Sequence, residues 1–214
     1  MTLYPPEAPP DCPLCPRLVA YRVENARKEP TWFNGAAPSF GDPNAKLLIV
    51  GLAPGRTGAN RTGRPFTGDY AGDLLYGTLK KLGLAEGEYR ADPNDGFTLH
   101  GAMITNAVRC APPENKPTPE EIKTCRPFFV SRYQTLPKLK VFFALGSIAH
   151  ETILRAYGMR PSDAKFAHGA EAELTDGRLL VSSYHCSRYN TQTRRLTAEM
   201  FETAMARAKE LAWS

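Results

Sequence analysis

Four of the five cysteines in this 214-residue chain are spaced like the ligands of a single metal centre. Cys12 and Cys15 form a C-x-x-C pair near the N-terminus, and Cys110 and Cys125 follow with fourteen residues between them. Four thiolates can enclose either a tetrahedral zinc ion or a 4Fe-4S cluster, so the residues alone leave both open. Unrelated reduced thiols are the alternative, and four spaced cysteines make it the weaker one.

The fifth cysteine, Cys186, directly follows His185. Neighbours in an extended segment point to opposite sides, which disfavours a nucleophilic Cys-His pair. We therefore expect Cys186 to be a small apolar residue beside a site. The other histidines, His100, His150 and His168, lie in no comparable context, and we expect them to be structural.

A glycine-rich loop at 51–58 follows an apolar run and resembles a phosphate-binding turn. It lacks the Gly-Lys-Ser/Thr of a P-loop and the G-x-G-x-x-G of a dinucleotide-binding fold. Further along, Phe66 stands between a proline and small residues, with Arg56, Arg61 and Arg64 nearby. An aromatic ring among arginines can stack a nucleobase, a contact worth roughly 1–3 kcal/mol per base. A core phenylalanine is the alternative.

The elements that must position these residues follow from apolar periodicity. Apolar runs that end in small residues predict buried parallel strands at 46–51, 102–106, 141–146 and 179–183. After a proline-rich N-terminal coil, helices are predicted at 18–28, 73–82, 118–132, 147–157 and 197–211. Thr118 and Glu121 form a capping box, with Pro119 at the first helical position.

This alternation predicts an α/β fold with three αβα layers around a central four-stranded parallel sheet, formed as a single domain over residues 1–214. In open sheets of this kind the site lies beyond the carboxyl ends of the strands. The segments that should form the site are therefore 51–73, 106–115, 146–147 and 184–193.

Composition limits the partners and the compartment. Lys and Arg outnumber Asp and Glu by 27 to 22, a modestly basic balance that suits a polyanionic partner without requiring one. The apolar runs are far shorter than the roughly 18 residues of a membrane span, so we expect no membrane contact. No signal segment is visible, which predicts a cytoplasmic protein with reduced thiols. We expect it to be a monomer.

Taken together, the motifs resemble those of the iron-sulfur uracil-DNA glycosylases, and within them the B subgroup, or family 5. The resemblance covers most of the chain. It implies a uracil-DNA glycosylase-like fold, hydrolysis of the N-glycosidic bond of uracil in double-stranded DNA, and a 4Fe-4S cluster rather than zinc. The motifs that carry it occur in the family's order: C-x-x-C at Cys12, GLAPG from Gly51, RPFTG from Arg64, NAVRC from Asn106, ALG from Ala144 and HCS from His185.

The resemblance also implies roles for individual residues. Phe66 would stack on a base flipped out of the duplex, Asn106 would hydrogen-bond the pairing edge of that base, and His185 would contact the carbonyl on which negative charge develops. Backbone groups of the glycine-rich loop at 51–58, called the first loop below, would line the pocket at Gly51, Ala53 and Gly55. The segment after His185 would enter the duplex minor groove through Ser187, Arg188 and Tyr189.

The chain departs from the wider pattern of uracil glycosylases in three respects. Leu52 and Ala53 stand where many uracil glycosylases carry an acid that positions water, so the usual general base is missing. Gly55 stands where the best-known uracil enzymes have a tyrosine, which predicts a roomier pocket that also admits hypoxanthine and xanthine. Cys186 replaces the proline of the usual His-Pro-Ser.

Asp69 is our first candidate to replace the missing acid, by orienting water or stabilising a cationic sugar, and Asp73 is the second. The alternative is that either residue caps the helix predicted to start near Asp73. We expect the arginines at positions 56, 61, 64 and 188 to contact DNA phosphates. A metal-bearing nucleic-acid binding module without catalysis is the alternative function, although it would not need Asn106 and His185 at strand ends.

Overall fold

The computed structural model describes residues 4–214, so the first three residues of the predicted domain lie outside the described part. All four predicted strands are present as a parallel set: β2 (Leu47–Gly51), β5 (Ala102–Asn106), β6 (Val141–Leu145) and β8 (Leu179–Ser183). Their spatial order is β5-β2-β6-β8. The predicted parallel core of the sheet is therefore confirmed.

Two short strands extend this sheet to six within the described residues. β1 (Phe40–Gly41) pairs antiparallel with β5, and β7 (Glu171–Glu173) pairs antiparallel with β8. The prediction of four strands missed them because both are only two or three residues long and neither is a buried apolar run. They cover backbone groups that the edge strands would otherwise expose. A separate hairpin is formed by β3 (Ala85–Glu86) and β4 (Thr98–Leu99).

Helices lie on both faces of the sheet. The predicted helices are present as α1 (Pro16–Lys28), α3 (Tyr70–Lys81), α4 (Pro119–Gln134), α5 (Ser147–Ala156) and α7 (Ala198–Trp213). Two short ones, α2 (Ala59–Thr62) and α6 (Arg188–Gln192), and a 3-10 turn at Pro113–Asn115 lie in the loops after strands. The capping box of Thr118 and Glu121 forms as predicted at the start of α4.

Alternate residues of the buried strands divide the core into two layers. Leu47 and Ile49 of β2 pack with the apolar faces of α3 and α7, whereas Leu48 and Val50 pack with those of α4 and α5. This alternation is what a strand buried on both faces requires, and it establishes the three αβα layers. No helix within residues 4–214 is both long enough and apolar enough to cross a membrane.

A buried ion pair joins two loops that carry the candidate site. Both terminal nitrogens of Arg64 donate to the carboxylate of Asp95 at 2.8 Å, and the two side chains are 4% and 0% exposed. The guanidinium also lies over the rings of Phe40, Tyr76 and Tyr89, at 5.1, 5.5 and 5.6 Å from their centroids. The prediction that Arg64 contacts DNA phosphate is therefore wrong, because this side chain is enclosed and fully engaged.

Removing the Asp95 carboxylate should strongly destabilise the fold. Asp95→Ala leaves Arg64 as an uncompensated buried charge, for which we expect a loss of about 3–5 kcal/mol in the free energy of unfolding, measured by urea denaturation. Glu88→Ala, which removes an exposed carboxylate in the same loop, is the matched control and should change stability by less than about 0.5 kcal/mol. Equal effects of the two substitutions would contradict this account of the ion pair.

Candidate active site

A cleft of about 930 Å³ opens at the carboxyl ends of the parallel strands. This volume lies within the roughly 300–1,000 Å³ of typical small-molecule sites. Its walls come mainly from three of the four segments predicted from the sequence, the loops that follow β2, β5 and β8. The fourth, 146–147, does not line the cleft, whereas Ala91 of the loop between β3 and β4, which was not predicted, does. They bring together the residues proposed for catalysis and base contact, Asn106, Phe66, Asp69 and His185.

Gly51 and Asn106 are paired in register at the ends of β2 and β5. A Cβ placed on Gly51 would lie 2.4 Å from Asn106 Oδ1 and 2.6 Å from Phe66 Cζ, distances that side chains do not tolerate. The missing side chain thus allows an amide and an aromatic ring to meet above the strand end. Asn106 is 2% exposed, and its Oδ1 accepts no hydrogen bond from any residue in the described part of the chain.

His185 follows β8 and lies beside Phe66, with ring centroids 6.0 Å apart and planes tilted by 30°. Burial lowers the pKa of His185 to about 4, so the imidazole is neutral at pH 7 and retains one N–H. Within residues 4–214, no protein group hydrogen-bonds this ring. A neutral donor with no competing partner therefore faces the same space as the Asn106 amide.

Asp69 serves as the N-cap of α3, accepting a hydrogen bond from the Gly72 N–H through Oδ1 at 3.2 Å. Its other oxygen, Oδ2, faces the first loop, where Cβ atoms built on Gly55 and Gly58 would lie 3.4 and 2.4 Å away. Burial raises the pKa of Asp69 despite the hydrogen bonds from the helix. The capping interpretation is therefore confirmed, and the same carboxylate also lines the cleft. Asp73 lies exposed in the first turn of α3, at the cleft's edge.

The four predicted metal ligands also lie together, in a second cavity whose apolar cluster packs against Ala53 of the first loop. Cys12, Cys15, Cys110 and Cys125 line one cavity whose walls include Leu18, Val108 and Phe128. The Arg109 N–H donates to Cys125 Sγ at 3.3 Å, and Arg22 donates to Cys110 Sγ at 3.8 Å.

The cysteine side chains are electrostatically unusual. Burial raises the pKa of the Cys110 thiol to about 12 and that of Cys125 to about 11, so neither is a thiolate at pH 7 without a nearby cation. Among residues 4–214, no group of three or more His, Cys, Asp or Glu side chains is arranged to hold one metal ion. The four thiols instead surround a shared space.

The sequence model of the uracil DNA glycosylase superfamily matches residues 38–209. The chain belongs to this superfamily. It is 50% identical over 207 residues to the type-5 uracil-DNA glycosylase of Thermus thermophilus, covering 94% of both chains. It is 40% identical over 210 residues to that of Mycobacterium tuberculosis, and 38% over 202 residues to that of Pyrobaculum aerophilum. These alignments cover 94% and 92% of this chain, and 78% and 88% of the relatives. The resemblance to family 5 inferred from the motifs is confirmed.

The cleft of this uracil DNA glycosylase superfamily member has no acidic side chain along its first loop, at 51–58. Ala53 and Gly55 line the cleft, as expected, together with Leu52, whereas Gly51 is not among the lining residues and lies against Asn106 and Phe66 at the strand end. The nearest atoms to a Cβ on Gly55 are Asp69 Oδ2 at 3.4 Å and Asn115 Oδ1 at 4.0 Å, so open space remains beside this glycine.

The rim of the cleft carries the segment after His185. Ser187 lines the cleft and caps α6 by accepting from the Asn190 N–H, and Arg188 lies 5.3 Å from the Tyr70 ring centroid. Tyr189 is 71% exposed and projects from α6. Arg61 is exposed, whereas Arg56 is engaged by Asn25 and Glu29.

Cys186 is fully buried in the main core, as expected for a small apolar residue. His150 is structural too, because its ring nitrogens bond Ser182 Oγ and the Ala164 carbonyl. The sequence did not single out Asn115, which faces the cleft from the turn after β5 with φ at +57°. Asparagine tolerates this left-handed conformation, and its place in a segment after a strand was the available signal.

Proposed function

We propose that this protein hydrolyses the N-glycosidic bond of uracil in double-stranded DNA, and that of hypoxanthine and xanthine, leaving an abasic site. The observation that carries the proposal is the buried, unpartnered Asn106 Oδ1 at the floor of the cleft, beside the Phe66 and His185 rings. The printed names of the relatives, type-5 uracil-DNA glycosylase, support uracil as a substrate.

The unpartnered oxygen favours bases that present a ring N–H, which deamination creates in uracil and hypoxanthine. Uracil, hypoxanthine and xanthine present a ring N–H beside a carbonyl, whereas cytosine and adenine present a ring nitrogen that only accepts. A base with the N–H satisfies Asn106 Oδ1, while one without it leaves a buried acceptor unpaired, at a cost of about 1–3 kcal/mol. The Asn106 amide thus distinguishes uracil from cytosine and hypoxanthine from adenine, whereas xanthine and guanine both present the ring N–H and are not separated by this contact.

A base inside a duplex cannot reach this cleft, so the target nucleotide must leave the stack. Flipping costs a few kcal/mol and costs least for a mispaired base, such as uracil opposite guanine. The Phe66 ring at the cleft floor supplies a stacking surface for the extruded base, and the exposed Ser187, Arg188 and Tyr189 segment enters the duplex at the vacated position.

Cleavage of the bond places negative charge on the leaving base and positive charge on the sugar. The neutral His185 N–H donates to the base carbonyl on which the charge develops. A single donor of this kind is typically worth about 2.7–4 kcal/mol, or roughly 100- to 1,000-fold in rate. Since Leu52 and Ala53 provide no acid, we assign the second task, stabilising the sugar cation or aligning water, to Asp69 Oδ2, which faces the first loop.

Replacing His185 tests the proposed chemistry. We expect His185→Ala to lower the single-turnover rate on a uracil-containing duplex by roughly 100- to 1,000-fold, with DNA binding retained. His100→Ala, which changes an exposed histidine away from the cleft, should leave the rate unchanged. The assay is alkaline cleavage of abasic sites in labelled oligonucleotides bearing one modified base.

The same assay with Asp69→Asn separates the two contributions. Asparagine keeps the N-cap hydrogen bond but removes the charge, so a comparable loss is expected if Oδ2 acts on the sugar or water. A normal rate in this variant would limit Asp69 to its cap. Normal rates in both variants would mean that the site lies elsewhere, and DNA binding without any cleavage by the native protein would favour the non-catalytic nucleic-acid module.

The open space beside Gly55 determines the range of bases. We expect the native protein to excise hypoxanthine and xanthine as well as uracil, because a purine product needs more room than uracil. Gly55→Tyr should suppress purine excision while retaining uracil excision, whereas Gly55→Ala fits the available space and should not change the range. Unchanged base selectivity in Gly55→Tyr would show that this position does not border the base.

We propose that the four cysteines hold a 4Fe-4S cluster. Support comes from the four thiols around one cavity with apolar walls and from the donors aimed at Cys110 and Cys125 sulfur, contacts that iron-sulfur centres use. When bound, the cluster would act as a cross-link between the N-terminal coil, the loop after β5 and α4. We assign it no part in the chemistry on the base.

The cluster is tested by metal content. Protein purified without oxygen should be brown and contain about four irons per chain. Cys125→Ala should lose the iron and lower the Tm, because the cross-link is removed. Cys186→Ala, which changes the buried cysteine outside this cavity, should keep its iron. Stoichiometric zinc without iron, or full iron in Cys125→Ala, would contradict the assignment.

A further inference from the structure

Phe66 has a backbone conformation that its residue type does not favour. Its φ is +55°, in the left-handed region where a bulky residue is uncommon and must be held by its surroundings. The conformation turns the ring toward Gly51 and Asn106, where it forms the cleft floor. Whatever holds the Phe66 backbone therefore also places the ring.

Tyr89 supplies a polar contact to that backbone. Its hydroxyl donates to the Phe66 carbonyl at 3.1 Å and accepts from the Gly68 N–H at 3.4 Å, so it spans the strained residue. Tyr89 lies in the loop between β3 and β4, far along the chain from Phe66. The first turn of α3 lies close to the same carbonyl, and only a residue without a Cβ fits there, since a Cβ on Gly72 would lie 1.9 Å from the carbonyl oxygen.

The Tyr89 ring is itself fixed independently of its hydroxyl. It stacks on Tyr76 with centroids 4.6 Å apart, meets Phe97 edge-on at 6.0 Å, and lies under the Arg64 guanidinium. Tyr76 donates to the neighbouring Pro65 carbonyl at 2.5 Å. Loss of the Tyr89 oxygen alone would therefore leave the ring packing in place and release only the two backbone groups that flank the Phe66–Gly68 turn, the Phe66 carbonyl and the Gly68 N–H.

We propose that Tyr89 is a positioning residue, whose hydroxyl holds the Phe66 carbonyl and thereby fixes the ring on which the extruded base stacks. The inference rests on the proposed function of the cleft. It gives the loop between β3 and β4, which follows none of the parallel strands, a role in the reaction. Tyr89 acts through Phe66 and does not touch the base.

A double-mutant cycle on the full-length protein tests the proposal. Tyr89→Phe should lower the single-turnover rate on a uracil-containing duplex by about 10- to 100-fold, as expected for a misplaced reactant. Affinity for an undamaged duplex should be unchanged. In a Phe66→Ala background, Tyr89→Phe should change the rate by less than about twofold, because the ring it positions is gone.

Tyr157→Phe is the matched control. Tyr157 stacks on Tyr133 on the opposite face of the sheet, as Tyr89 stacks on Tyr76. The substitution also removes a single hydroxyl, one that accepts a hydrogen bond from Arg178 at 3.0 Å. It should lower the Tm about as much as Tyr89→Phe does, without lowering the rate. Tyr76→Phe, which removes the hydrogen bond to the Pro65 carbonyl, should also lower the rate.

The outcomes separate the inference from the function on which it rests. A native protein that cleaves no modified base refutes the proposed function. With an active native protein, additive effects of Tyr89→Phe and Phe66→Ala, a normal rate in Tyr89→Phe, or an equal loss in Tyr157→Phe each overturn the positioning role alone.

Discussion

The parallel pairing of β2 with β5 is the constraint on which the cleft depends. In this register Gly51 lies beside Asn106, and a shift by one residue would turn the Asn106 side chain to the opposite face of the sheet. The pairing continues beyond the strands, because Ala107 and Val108 donate to the carbonyls of Gly51 and Leu52 at 2.9 Å. The same ladder therefore positions the base-recognition amide and directs the chain onward to Cys110.

Asp69 both caps helix α3 and presents a carboxylate oxygen to the cleft. A carboxylate has two oxygens, and the Gly72 N–H engages Oδ1 while Oδ2 faces the first loop. The helix N-terminus favours the negative charge, whereas burial disfavours it and is the larger effect on the pKa. The glycines at 55 and 58 leave the space into which this second oxygen points.

The strands and most of the cleft can be predicted from the sequence because both follow local rules. Buried runs such as Val141–Leu145 have few alternatives to a central strand, and the loops after parallel strands must meet. Arg64 was misjudged for a physical reason. An arginine in a glycine-rich loop is normally solvated, and its partner Asp95 lies in an irregular loop 31 residues away that only the fold brings near. The Tyr89 contact with Phe66 was hidden in the same way.

The cysteine cavity and the cleft share a wall. Ala53 lines the cleft and also packs against the apolar cluster that contains Cys12, Cys125 and Val108. Because packed interiors transmit small displacements, a change in the spacing of the four cysteines would move the Ala53 segment and with it the backbone that borders the base. Burial raises the pKa of the Cys110 and Cys125 thiols, so a metal bound there would replace their protons within this wall. A metal centre bound in this cavity would in this way affect the shape of the pocket through the apolar packing at Ala53.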